Sequence, residues 1–112
     1  MTHELHLNNQ PFLSIKSGNK TIEMRLFDEK RSKYCIDDIL IFENRETSEK
    51  LKTKIINLHR FDSFVELYAK FHKIMLGYSI NETADPKDME IYYPIEEQEK
   101  YGVVGIEIEV IN

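Results

Sequence analysis

The sequence predicts an α+β fold, a small open β-barrel of about five mostly antiparallel strands with flanking helices. Three observations carry that expectation. Short stretches alternate apolar and polar residues with period two near both ends and in the middle of the chain. The middle strands follow one another with no helix between them, which favours antiparallel pairing. Leu51 to Phe61 is a β-prone run long enough to bend or to serve two neighbours. The 112 residues, 41% hydrophobic and 31% charged, suit one domain over 1–112 with a single modest core.

Taken in order, His3 to Leu7 alternates as a first strand, with Leu5 and Leu7 on one face. Asn8 and Asn9 offer an N-cap and Pro11 suits a first helical turn. That helix turns Phe12 and Ile15 inward and stops at Gly18. In Thr21 to Phe27, Ile22, Met24 and Leu26 face one way while Thr21, Glu23 and Arg25 face the other. Asp28 to Tyr34 is polar and basic, an exposed connection. Ile39 to Phe42 is a short strand, residues 45–49 are a polar turn, and 51–61 is the long strand. Ser63 and Glu66 have capping-box spacing. Phe64, Leu67, Tyr68, Phe71 and Met75 then form a stripe predicting a helix closed by Gly77. Asp85-Pro86 starts another helical segment leading into Met89 and Tyr92, and a last turn or two runs from Pro94 to Gly102. Val104, Ile106, Ile108 and Val110 alternate with Gly105, Glu107 and Glu109 as a half-buried closing strand. The order is β, α, β, β, β, α, α, β.

Charge and composition exclude several classes. The net charge of −5 divides unevenly: residues 1–35 carry +2, 36–62 carry −1 and 63–112 carry −6. Non-specific nucleic-acid binders carry a basic surplus, so no DNA duplex is expected as partner, and any nucleic-acid role must use a local cleft from the N-terminal half. The single Cys35 excludes a disulfide framework and most structural zinc sites. No apolar run is long enough for a membrane span, and Met1 to Glu4 has no basic leader or apolar stretch, so no membrane partner and a cytoplasmic location are expected. No cofactor is implied, and the sequence leaves the oligomeric state open.

The most informative stretch is Gly18 to Arg25. Glu23 and Arg25 sit two apart on one strand, about 7 Å along the backbone on a shared face. Lys20 leaves the helix-to-strand turn just before them. If enclosed, such a cluster suits planar recognition of a phosphate, a carboxylate or a base edge, and a desolvated lysine can also act as base or nucleophile. Read from the alternation alone, the commoner outcome is a solvated salt pair on an exposed face.

The pattern Gly18-x-Lys20-x-x-Glu23-x-Arg25, followed by a basic connection and Asp37-Asp38-Ile39-Leu40-Ile41-Phe42, resembles the ASCH domain family (activating-signal-cointegrator homology). Tyr101 to Ile108 is similar to that family's final strand, so the resemblance runs essentially the length of the chain. It implies a PUA-like barrel with a cleft between barrel and helices, Lys20, Glu23 and Arg25 at its rim, and RNA or a nucleoside- or nucleotide-like molecule as ligand. Some compact members are amidohydrolases that deacetylate N4-acetylcytidine with a lysine, a threonine three residues later and a distal glutamate. Lys20 matches that lysine, but Glu23 occupies the threonine position. The distal position falls near Met75 to Ser79, where no glutamate stands; Thr21 is a possible substitute for the threonine, and Glu82 or Glu90 for the glutamate. The resemblance thus implies a ligand-binding domain, with a small amidohydrolase using Lys20 and Glu23 as the alternative. Asp37 stands where the family usually has glycine, a departure that bears on turn geometry.

Other residues are weighed against plainer roles. Arg31, with Lys30 and Lys33, is a candidate phosphate contact at the cleft mouth and Tyr34 a candidate stacking platform, against a solvated loop. Tyr68, Tyr78, Tyr92, Tyr93 and Tyr101 are expected chiefly as core-rim residues with wet hydroxyls. His3 and His6 point to opposite strand faces, and His59 and His72 lack partner spacing, so no metal site is expected. Cys35 is expected to be inert. The run Glu96-Glu97-Gln98-Glu99 is expected as a solvated helix face.

Overall fold

In a computed structural model, which describes residues 1–111, five strands form one mixed sheet in the order β1-β3-β4-β5-β2. The strands are β1 (Thr2–Leu7), β2 (Ile22–Leu26), β3 (Ile39–Asn44), β4 (Lys50–Phe61) and β5 (Val103–Val110). The helices are α1 (Asn9–Lys16), α2 (Phe64–Lys70) and α3 (Ile95–Tyr101), with 3₁₀ turns at Arg31–Lys33 and Pro86–Ile91. The class is α+β and the sheet curls into a half-barrel. No helix among the described residues is long and apolar enough to cross a membrane.

The long run does serve two neighbours: β4 pairs with β3 over Lys50 to Lys54 and with β5 from Thr53 to Phe61, all antiparallel. A register shift between Ile55 and Asn57 leaves Ile56 as the extra residue of a bulge, the usual means of bending a strand across a curled sheet. One pairing runs against the antiparallel expectation, since β1 lies parallel to β3. The chain makes that crossover through α1 and β2 rather than through a hairpin. The two edge strands β1 and β2 approach each other closely enough for Arg25 Nη2 to donate to the His6 carbonyl at 3.4 Å.

Each face of the sheet has its own core. The concave face gathers Leu5, Leu7, Phe12, Ile15, Leu40, Phe42 and Ile55 with Val104, Ile106 and Ile108 of β5. The opposite face packs Ile22, Met24, Leu26 and Val103 against Phe64 and Leu67 of α2 and against Met89. The first half of β5 is therefore buried on both faces, where alternation predicted one. A side chain at Gly105 would come within 3.1 Å of Ile22 and 3.4 Å of Leu67, so glycine there lets α2 settle on the sheet.

The helical stripe of 64–75 is broken earlier than predicted. Ser63 caps α2, with its hydroxyl accepting from Glu66 N–H, but Phe71 is already extended and the helix ends at Lys70. Two tertiary demands outweigh the local period. Phe71 turns edge-on to His59 and Phe61. Further on, the Met75 carbonyl accepts from both Thr21 and Ile22 N–H, which covers the start of the edge strand β2.

Candidate functional site

The site is assembled around β2. Helix α1 stops at Ser17, Gly18 takes a φ of +89°, and Lys20 N–H donates to the Ser14 carbonyl, which sets Lys20 at the mouth of the strand. The aliphatic stem of Lys20 lies on Gly77, where an added Cβ would stand 3.0 Å from Lys20 Cδ. Glu23 and Arg25 pair with Ile106 and Val104, so the alternation that puts those two apolar residues in the concave core puts Glu23 and Arg25 there as well. This overturns the solvated salt pair. Glu23 is 3% exposed and Lys20 8%.

A buried carboxylate needs partners, and Glu23 has a complete set. Lys20 Nζ is 3.1 Å from Oε1, which also accepts from Met24 N–H. Arg25 grips Oε2 through Nη2 at 2.9 Å and Nε at 3.2 Å. Burial alone would raise the Glu23 pKa, but Lys20 and then Arg25 outweigh it and hold it at about 2, below the ordinary 4.5. Burial likewise works against the Arg25 guanidinium, and Glu23 reverses this and raises its pKa. The result is a fixed cluster of two cations around one carboxylate.

The cluster opens into a cleft of about 400 Å³ along the free edge of β2. Apart from the three charged residues, its lining comes from the end of β1 and the start of α1, from Met24, from Tyr68 of α2 and the segment after that helix, and from the Pro86–Ile91 turn with the two tyrosines that follow it. Tyr93, half-buried and stacked on Phe64 at 6.0 Å, forms one wall beside Arg25, and Tyr92 stands exposed at the rim. The lining also holds a hydroxyl chain: Tyr68 Oη lies 2.8 Å from Tyr78 Oη, which lies 2.7 Å from Asp88 Oδ2. Burial first, and then Tyr68 and Asp88, push the Tyr78 pKa far above its ordinary value, so its proton stays in place. Sequence reading placed Tyr68 and Tyr78 among core-rim tyrosines and did not single out Asp88. Its only local signal was the Asp85-Pro86 start, where Asp85 caps the turn through Lys87 N–H and so holds Asp88 in position.

Lys20, Glu23 and Arg25 are thus brought together, whereas Arg31 and Tyr34 do not line the cleft. Tyr34 is 4% exposed and its ring stacks on His3 at a centroid distance of 4.1 Å, so it is a core residue with no free face for a base. Burial raises its pKa and the Arg31 charge opposes this. Arg31 folds back on Asp28 at 3.2 Å, as a lysine- and arginine-rich turn does when an acidic residue starts it. Glu82 lines the cleft, Glu90 does not, and the Thr21 hydroxyl is buried without a partner. His3 and His6 do diverge, to Asp38 at 2.7 Å and Glu43 at 3.3 Å. Among the described residues no group of three or more His, Cys, Asp or Glu is placed to hold a metal ion. Glu96, Glu97 and Glu99 are exposed on α3, while Gln98 is buried and donates to the Tyr93 carbonyl.

Comparison with known proteins agrees with this architecture. The ASCH domain model matches residues 5–112. A crystal structure of the hypothetical protein PH0355 superposes with a TM-score of 0.80 at 34% identity, covering 99% of this chain and 100% of that one. The solution structure of protein PF0455 from Pyrococcus furiosus gives a TM-score of 0.72 at 30% identity, covering 100% of this chain and 99% of that one. No protein of curated function matches the chain.

Proposed function

The chain belongs to the ASCH domain family, of PUA-like fold, and from that premise we propose that it binds RNA or a nucleotide-like ligand in the cleft along β2. The observation that carries this reading is the Lys20–Glu23–Arg25 cluster, buried yet bordering a cleft of ligand size. Lys20 and Arg25 carry more N–H donors than Glu23 and the His6 carbonyl take up, and the surplus serves carbonyl or phosphoryl oxygens of a ligand. Glu23 orients both cations.

The amidohydrolase alternative asks one of these groups to move a proton. With its pKa held at about 2, Glu23 is a weak proton acceptor near neutrality, which favours a fixed electrostatic role over acid–base work. Two assays separate the readings. A binder shows saturable titration with short single-stranded RNA or nucleotides, weakened at least ~10-fold in Lys20→Ala, a loss of ~1.4 kcal/mol. A hydrolase releases cytidine and acetate from N4-acetylcytidine and loses this in the same variant. A protein with neither property would refute the ligand cleft.

A further inference from the structure

Helix α3 inverts the usual division of apolar and polar residues. Its buried side chain is Gln98, committed to the Tyr93 carbonyl at 2.9 Å, while Ile95 in its first turn is 47% exposed. Just upstream, the Pro86–Ile91 turn anchors itself through Met89 and leaves Ile91 84% and the following Tyr92 63% exposed. From Glu90 to Glu97 only Tyr93 is partly covered. Three large apolar side chains within five residues of sequence make a patch, whereas single exposed apolar residues need no explanation. The charge around them is one-sided. Asp88, Glu90, Glu96, Glu97 and Glu99 are carboxylates, and no lysine, arginine or histidine stands between residues 88 and 99. Among the described residues none of these five is ion-paired, although the exposed carboxylates Asp37 and Glu49 each hold a lysine, at 3.2 and 2.6 Å.

We propose that this surface docks a basic segment of a partner protein, rich in lysine or arginine and carrying apolar anchors. The anchors pack on Ile91, Tyr92 and Ile95, and the cations answer the carboxylates around them. Charge decides between occupants. A phosphate backbone is repelled here, and a second copy docked about a two-fold axis would bring five more carboxylates against the first five. Only a cationic partner gains from both the apolar centre and its rim. Ile91 and Tyr92 also line the cleft, so the docked segment lies at its mouth. The surface stands independently of what the cleft binds.

Two labelled peptides of equal length and charge test this, one alternating lysine with leucine and one alternating lysine with serine. Fluorescence anisotropy with the full chain should show the leucine peptide binding at least ~10-fold tighter than the serine peptide, and more weakly as salt is raised. The triple variant Ile95→Ser, Glu96→Lys, Glu97→Lys alters exposed side chains, with folding checked by circular dichroism. It should lose at least ~10-fold in affinity for the leucine peptide. Reversing two exposed carboxylates elsewhere, Glu29→Lys with Glu46→Lys, should leave that affinity within about threefold. Equal binding of the two peptides, or an equal loss from the Glu29 and Glu46 reversal, means attraction by net charge alone and overturns the proposal. Concentration-dependent self-association of the wild type that disappears in the triple variant makes the occupant a second copy and overturns it as well. Short single-stranded RNA should bind the triple variant no more weakly than the wild type. A loss there would assign the patch to nucleic acid instead, while the cleft reading itself stands or falls on Lys20 and Arg25.

Discussion

Two carboxylates in this molecule share a low pKa and differ in everything that matters for function. Glu23 and Asp38 are each held at about 2. Asp38 is held first by His3, at 2.7 Å, then by Cys35 N–H at 3.0 Å and the Met1 ammonium at 3.2 Å. It is 8% exposed, covered by His3 and the chain start, and it does not line the cleft along β2. Its work is to close the turn into β3, where Asp37 takes the left-handed φ of +76°. Glu23 lies fully inside, between two side-chain cations whose remaining donors face a cleft. A depressed carboxylate pKa therefore marks nearby cations and hydrogen bonds, and it occurs in a structural turn as well as beside a cleft. Surplus donors beside an open volume are what distinguish the proposed ligand site.

The largest expected effect separates the two directly. Glu23→Gln leaves Lys20 and Arg25 buried without their counter-charge and should cost about 3–5 kcal/mol in denaturant unfolding. Asp38→Ala removes the acceptor of His3, Cys35 N–H and the exposed Met1 ammonium and should cost nearer 1–2 kcal/mol by the same measurement, with ligand binding unchanged. A smaller cost for Glu23→Gln than for Asp38→Ala would break the contrast. Next comes pH. The Glu23 pKa falls on folding from 4.5 to about 2, so its contribution, on the order of 3 kcal/mol, is fully present above pH 4.5. It drains away as pH falls from there toward 2, and Glu23→Gln should make that part of the stability–pH curve shallower, leaving the share that Asp38 contributes. Gly77→Ala, at a φ of +105° and against the Lys20 stem, should cost about 1–2 kcal/mol and weaken ligand binding by displacing Lys20. Smallest of all, Asp37→Gly relieves a left-handed residue and should change stability by less than about 1 kcal/mol, with no effect on binding.

Much of the fold is legible in period and punctuation. The alternation of Ile22, Met24 and Leu26 and of Val104, Ile106 and Ile108 marks β2 and β5, Phe12 and Ile15 mark the inner face of α1, and Gly18 and Gly102 mark helix ends. The shared face of Glu23 and Arg25 is legible too, because it follows from period two alone. Its burial is not, since the enclosure comes from the curl that brings β1 near β2 and from α1, all long-range arrangements. The same holds for the parallel β1–β3 pairing and for the early end of α2. There, Phe71 and the Met75 carbonyl answer to partners far away in sequence. Asp88 was missed for a related reason: a single acidic residue in a short turn says nothing until Tyr78 is placed beside it.

The most direct measurement is a binding titration with short single-stranded RNA and nucleotides on three proteins: wild type, Arg25→Ala and Asp38→Ala, each checked for folding by circular dichroism. Saturable binding by wild type and Asp38→Ala, with at least ~10-fold loss in a folded Arg25→Ala, is the predicted result. Unchanged affinity in a folded Arg25→Ala would contradict the central claim and leave the Glu23 cluster a structural ion network like that of Asp38.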